Sequence, residues 1–196
     1  MSHKQKGWLL TILIILVTLL TAWGSLSHAE AGDWDGWEFR FFGINYKDFE
    51  GRDWKPMVVG CVASLVTHEL GHYVVGELTG GDVTFSNMVV HVKWDESLSD
   101  DQNALFSAAG FISQSLVGIT LTAIPKTRNS DFTVGFNGYS TITGFSYAIT
   151  GGTRQEEVSD VKRMEEYGWP GTEIALTAGV LNAGLTYISL DKYKEE

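Results

Sequence analysis

The stretch "MVVGCVASLVTHELGHYVVGEL", residues 57 to 78, is long and apolar enough to cross a bilayer, yet it carries His68, Glu69 and His72. It begins just after Pro56, a residue suited to a helix start, and reads as one continuous helix. An ionisable side chain at the middle of a membrane helix costs about 2 kcal/mol or more unless it is paired or lines a polar cavity. Three together need a purpose, and their spacing supplies one. At about 100° per residue, side chains four apart stand one above the other on the same face. Both imidazoles can therefore reach one Zn²⁺ from consecutive turns. Glu69 then stands beside the ion and not on it, where a general base for an activated water belongs. The H-E-x-x-H pattern thus predicts a metal site with His68 and His72 as ligands and Glu69 as the base.

The remaining composition narrows what else can serve that site. Cys61 is the only cysteine among 196 residues, which excludes an intrachain disulfide framework and any zinc cluster built on thiolates. Cys61 itself shares a helix face with His68 but lies about 10 Å along the axis, and reads as a small packing residue. Further ligands must be histidines or carboxylates. Acidic residues outnumber Lys and Arg 24 to 14, for a formal charge of -10, so the chain lacks the basic footprint of a nucleic-acid binder.

Towards the amino terminus, "MSHKQKGWLLTILIILVTLLTAWGSLSHAEAG" has a basic start at Lys4 and Lys6, an apolar run from Trp8 to Trp23, and small residues Ser27 and Ala29. Residues 1–29 read either as a cleaved signal peptide or as a first transmembrane helix with Trp8 and Trp23 at the two interfaces. Both readings address the chain to a membrane, of the bacterial inner (plasma) type, with residue 30 on the extracytoplasmic side. Residues 30–56 are aromatic, charged and punctuated by glycine. They read as an extracytoplasmic segment lying on the bilayer surface, or as a small soluble subdomain or strand pair.

Towards the carboxyl terminus, "GDVTFSNMVVHVKW" (81–94) alternates around an "SN" turn and predicts a β-hairpin. "NALFSAAGFISQSLVGITLTAI" (103–124) predicts a second span, rich in the small residues that let membrane helices approach. Residues 132–150 form a Gly- and Thr-rich stretch that reads as a membrane or half-buried helix. Residues 151–171 are strongly polar, and "TEIALTAGVLNAGLTYISL" predicts a final span. The expected fold is a mainly α membrane protein with four to five transmembrane helices and a β-hairpin after the HExxH helix. Residues 57–196 form the membrane-embedded domain. The distribution of Lys and Arg does not satisfy the positive-inside rule for that crossing order, so the topology stays open.

With "THELGHYVVGE" in a spanning helix, a hairpin-like segment directly after it, and "SAAGFISQ" in the next helix, the chain resembles a small, distant member of the site-2 protease family of intramembrane zinc metalloproteases. Where that family usually has A-G-P-x-x-N, this sequence keeps Ala109 and Gly110 but has Phe111 and Gln114 in place of Pro and Asn. The resemblance implies a third ligand, an aspartate, whose usual N-x-x-P…L-D-G setting is missing. The best local match is Asp160, three residues before Arg163, as in the D-G-G-R of many members. Glu156 and Glu157 are its rivals, since Glu156 precedes Asp160 by four, the spacing of a second class of membrane zincins.

The resemblance further implies a zinc metalloprotease that hydrolyses peptide bonds in or near transmembrane segments. Its hairpin, with Phe85 and Met88 near the tip, would pair with an extended substrate strand. Ser64, Thr67 and the Gly-rich fourth helix would line a water-filled approach. Implied partners are a membrane-protein or peptide substrate, the lipid bilayer and a regulatory membrane partner. The alternative is a proteolytically inactive metal-binding membrane module, or an accessory subunit of a membrane complex. Glu77 is expected to mark a helix end, His91 to sit at the surface or pack, and Asn182 to hydrogen-bond near the site or pack.

Overall fold

The computed structural model describes residues 40–41, 44–86, 89–94, 98–151 and 159–190. The chain divides into two compact units, 1–52 and 53–196. In the first, β1 (Arg40–Phe41) pairs antiparallel with β2 (Ile44–Asn45), and a 3-10 turn (Tyr46–Phe49) follows. The signal or first-helix reading of 1–29 lies outside the described residues.

The second unit is helical. Helix α1 (Trp54–Leu78) opens on Asp53, whose side chain accepts from the Lys55 N–H at 3.0 Å. It therefore starts before the proline that marks its beginning in the sequence. Pro56 is tolerated there because the first-turn N–H groups have no intrahelical partner. A hairpin follows, β3 (Asp82–Ser86) with β4 (Val89–Lys93), in a register that pairs Ser86 with Val89 and Thr84 with His91. Its connection thus falls one residue later than the "SN" turn expected from the sequence.

Helix α2 (Asp100–Ala123) starts at a reciprocal cap between Ser99 and Gln102. The one-turn α3 (Pro125–Arg128), α4 (Asp131–Thr150), the short α5 (Asp160–Glu166) and α6 (Gly171–Leu190) complete the chain. Helix α4 packs against α1 and α6, α2 packs against α1 and α6, and α5 lies across α2 and α6.

The distribution of side chains in α1 is reversed relative to a helix of a water-soluble domain. Its buried positions are Gly60, Ser64, His68, Gly71, His72 and Gly76, small or polar and mostly four apart. Val58, Val62, Val66, Leu70 and Val74 form the exposed stripe, with Leu70 53% accessible. In α2, Ser107, Gln114, Ser115 and Thr122 are buried beside Phe106 and Phe111, while Ile112, Leu116 and Ile119 are exposed. An apolar outer face over a small-residue interior is the arrangement hydrocarbon favours, since packing and interhelical hydrogen bonds replace the hydrophobic effect there. Three of the described helices, α1, α2 and α6, are long and apolar enough to cross a membrane. Helix α4 has the length of α6, 20 residues, but is not among them.

Candidate metal site

His68 and His72 project from consecutive turns of α1, and both are almost fully buried. Room for the His68 ring comes from α2. A Cβ on Gly110 would collide with three atoms of that imidazole, so Gly110 is a local requirement of the site. The walls are aromatic: Phe111 meets the His68 ring edge-on at 5.3 Å and Phe106 lies 5.1 Å from the His72 ring.

The outer nitrogens of the two rings fix their tautomers. His72 Nδ1 lies 2.8 Å from the Phe106 carbonyl oxygen, which can only accept, so Nδ1 carries the proton. His68 Nδ1 lies 3.2 Å from Gln114 Oε1. That oxygen is identified by the other end of the amide, where Nε2 donates to the Ser64 carbonyl and Oγ at 3.2 and 2.9 Å. Both rings therefore turn an Nε2 lone pair inwards, the orientation a metal-ligating histidine takes when its other nitrogen is held by a carbonyl.

Asp160 meets these lone pairs from the first turn of α5. Ser159 caps that helix, and Val161 and Met164, both fully buried, seat it in an apolar cluster with Ala108, Phe111, Ala175 and Ala178. The Asp160 side chain keeps 16% of its exposure.

The three inward atoms form a nearly equilateral triangle. His68 Nε2 and His72 Nε2 are 3.3 Å apart, and they lie 3.2 and 3.4 Å from Asp160 Oδ2. A cation among them, or a proton on one ring, relieves three acceptors that face one another at this range. Ligands about 2.0–2.1 Å from a tetrahedral ion are about 3.3 Å from each other, which is the triangle found, and a tetrahedral site with three protein ligands leaves its fourth position open. The donor set, two neutral imidazoles and one carboxylate, suits zinc.

Glu69, one residue on from His68, points towards the hairpin. Its Oε2 accepts from the Val90 N–H at 2.9 Å, which directs that N–H away from β3. A groove of about 210 Å³ opens beside it, lined by Leu65, His68 and Glu69 of α1, Gln114 of α2, and Tyr139, Ile142, Thr143, Ser146 and Tyr147 of α4. Ile142 is 64% accessible, so the groove opens on the outer surface of the bundle.

Of the remaining candidates, Glu156 and Glu157 lie outside the described residues. Glu77 and His91 are exposed and belong to no metal-competent group among the described residues. Cys61 packs, with its thiol 3.4 Å from the Gly135 carbonyl. Ser64 joins the site through Gln114, and the fourth helix lines the groove, whereas the Thr67 hydroxyl turns back onto the Ala63 carbonyl at 2.8 Å. Asn182 is buried between helices and bonded to Ser115. The Phe106 carbonyl and the Val90 N–H escaped the sequence reading, because backbone groups leave no residue-type signal. Compared with known proteins, the chain matches no family model, no curated protein and no solved structure.

Proposed function

We propose that the protein is an intramembrane zinc metalloendopeptidase of the site-2 protease kind, with His68, His72 and Asp160 as metal ligands and Glu69 as general base. The observation that carries this reading is the 3.2, 3.3 and 3.4 Å triangle of inward lone pairs with a carboxylate on the residue that follows His68 in the same helix. A zinc ion held there supplies Lewis acidity, which brings water to the nucleophilic state near neutral pH and polarises a carbonyl.

The chain's own groups then have defined tasks. Gln114 and the Phe106 carbonyl hold the imidazoles in the ligating tautomer. Glu69 accepts a proton from the attacking water and delivers it to the departing nitrogen as the C–N bond breaks, leaving a carboxylate and an amine. The Val90 N–H holds the Glu69 carboxylate in position between these transfers. The groove between α1 and α4 gives a peptide lateral access from the surrounding lipid, with Leu65, Tyr139 and Ile142 as its apolar walls. We take α4 to cross the bilayer with α1, α2 and α6, since it packs between α1 and α6. The setting is the bacterial-type inner membrane.

The test is cleavage in proteoliposomes containing a panel of single-span peptides, read by mass spectrometry. Wild type is expected to generate new amide-bond termini. Glu69→Gln is expected to lose at least about 10²-fold in rate, the scale of a general base, with bound zinc unchanged. Zinc-loaded wild type that cuts none of the peptides, or a Glu69→Gln variant that cuts at the wild-type rate, contradicts the reading.

A further inference from the structure

Two serines join the metal site to α4. Gln114, whose Oε1 accepts from His68 Nδ1, turns its amide nitrogen to Ser64, donating to the Ser64 carbonyl at 3.2 Å and to its Oγ at 2.9 Å. A backbone carbonyl can only accept, which fixes the amide whichever way the hydroxyl turns. Ser64 Oγ in turn lies 2.8 Å from Ser140 Oγ of α4. The side chains of Ser64, Gln114 and Ser140 are all fully buried, at 0%, 1% and 1% exposure.

The direction of the serine pair follows from where the protons go. Ser140 Oγ donates to the Phe136 carbonyl four residues earlier at 3.0 Å, a bond open to any serine within a helix. Its one proton is then used, so Ser64 donates the 2.8 Å bond. Run in reverse, the Phe136 carbonyl would lose this donor and Ser64 Oγ would receive two. The result is a one-way chain from His68 Nδ1–H to Gln114, from Gln114 to Ser64, from Ser64 to Ser140, and from Ser140 to a backbone carbonyl. It passes from α1 to α2, back to α1 and on to α4.

We propose that Ser140 is a positioning residue for the metal, acting on His68 through Ser64 and Gln114. In a buried chain of this kind each bond polarises the next, so a hydroxyl that gives its proton onward is the better acceptor. The Ser140 link therefore strengthens the bond from His68 Nδ1–H to Gln114 Oε1 and makes Nε2 of the same ring a stronger metal donor, the effect that a partner on the outer nitrogen has on a ligating histidine. His72 has no share in the chain, because its Nδ1 is held by the Phe106 carbonyl. Helix α4 also borders the groove with Tyr139 and Thr143, so one helix both walls the groove and holds the last link to the ligand.

This inference rests on the metal-site reading, and its test is a double-mutant cycle on the full-length protein in detergent. Zinc affinity is measured by chelator competition for wild type, Ser140→Ala, Gln114→Leu and the double variant. The Nδ1–H proton resonances of His68 and His72 are recorded for zinc-loaded wild type and Ser140→Ala. Ser140→Ala is expected to weaken zinc binding about 2- to 10-fold, the worth of one net hydrogen bond, and to cause no further loss where Gln114 is already leucine. The His68 resonance should move while that of His72 stays. Wild-type affinity in Ser140→Ala, the same loss in both backgrounds, or equal movement of the two resonances contradicts the positioning role and leaves the metal site standing. Wild type that takes up no zinc overturns the metal-site reading and this inference with it.

Discussion

At the scale of single residues, the account rests on three lone pairs brought within 3.4 Å of one another and on the groups that orient them. Gln114 is the sharpest probe, because it touches His68 and Ser64 but is not a ligand. Gln114→Leu removes the acceptor that holds the His68 tautomer, and zinc affinity is expected to fall about 10- to 100-fold, measurable by competition with a chromogenic chelator. An unchanged affinity would mean that the His68 orientation comes from packing alone. His68, Glu69 and His72 were legible because a helix converts sequence spacing directly into a shared face. Asp160 was legible for an incidental reason. The Arg163 spacing singled it out, yet Arg163 is exposed, and what delivers the carboxylate is the Ser159 cap with Val161 and Met164 beneath it. Gln114 stood out only as a replacement for Asn, since its bond to a ring more than forty positions earlier depends on how α1 and α2 are set together.

At the scale of elements, the two pieces that complete the site are small and separately testable. Helix α5 has seven residues, too few to persist without its buried side chains. Met164→Ala should cost about 2–5 kcal/mol as a cavity and weaken zinc binding, whereas a substitution of exposed Arg163 should change neither. Equal zinc affinity in Met164→Ala and wild type would show that Asp160 does not depend on this seat. The hairpin bears on the base. The Val90 N–H faces Glu69 and not β3, so proline there removes the bond to the carboxylate without removing a ladder bond. Val90→Pro should retain full zinc and lose roughly tenfold in kcat, within the range that misplacing a catalytic group produces. The hairpin could be read from its alternation and α1 from its apolar length. The exact start of α1 depended on Asp53 as a cap. Helix α4 stayed ambiguous in the sequence because its inward face, with Thr133, Asn137, Ser140 and Thr141, is polar through interhelical packing.

At the scale of the whole molecule, α1 and α2 turn rows of apolar side chains outwards and bury small and polar ones beside an aromatic and aliphatic cluster, so the second unit should be soluble only with lipid or detergent around it. Alkaline carbonate extraction should leave the chain in the membrane pellet, and its release into the supernatant would contradict a spanning bundle. Buried serine, asparagine and glutamine side chains accompany His68 and His72 in the interior, and the groove of about 210 Å³ opens on the outer surface of the bundle. The central claim is that this bundle folds around a metal. It is tested most directly by the metal content of protein purified without chelators, measured by elemental analysis for wild type beside Asp160→Asn and Glu69→Gln. The account predicts one equivalent of zinc in wild type and in Glu69→Gln, with most of it lost in Asp160→Asn. Wild type without stoichiometric metal, or full occupancy in Asp160→Asn, would contradict it.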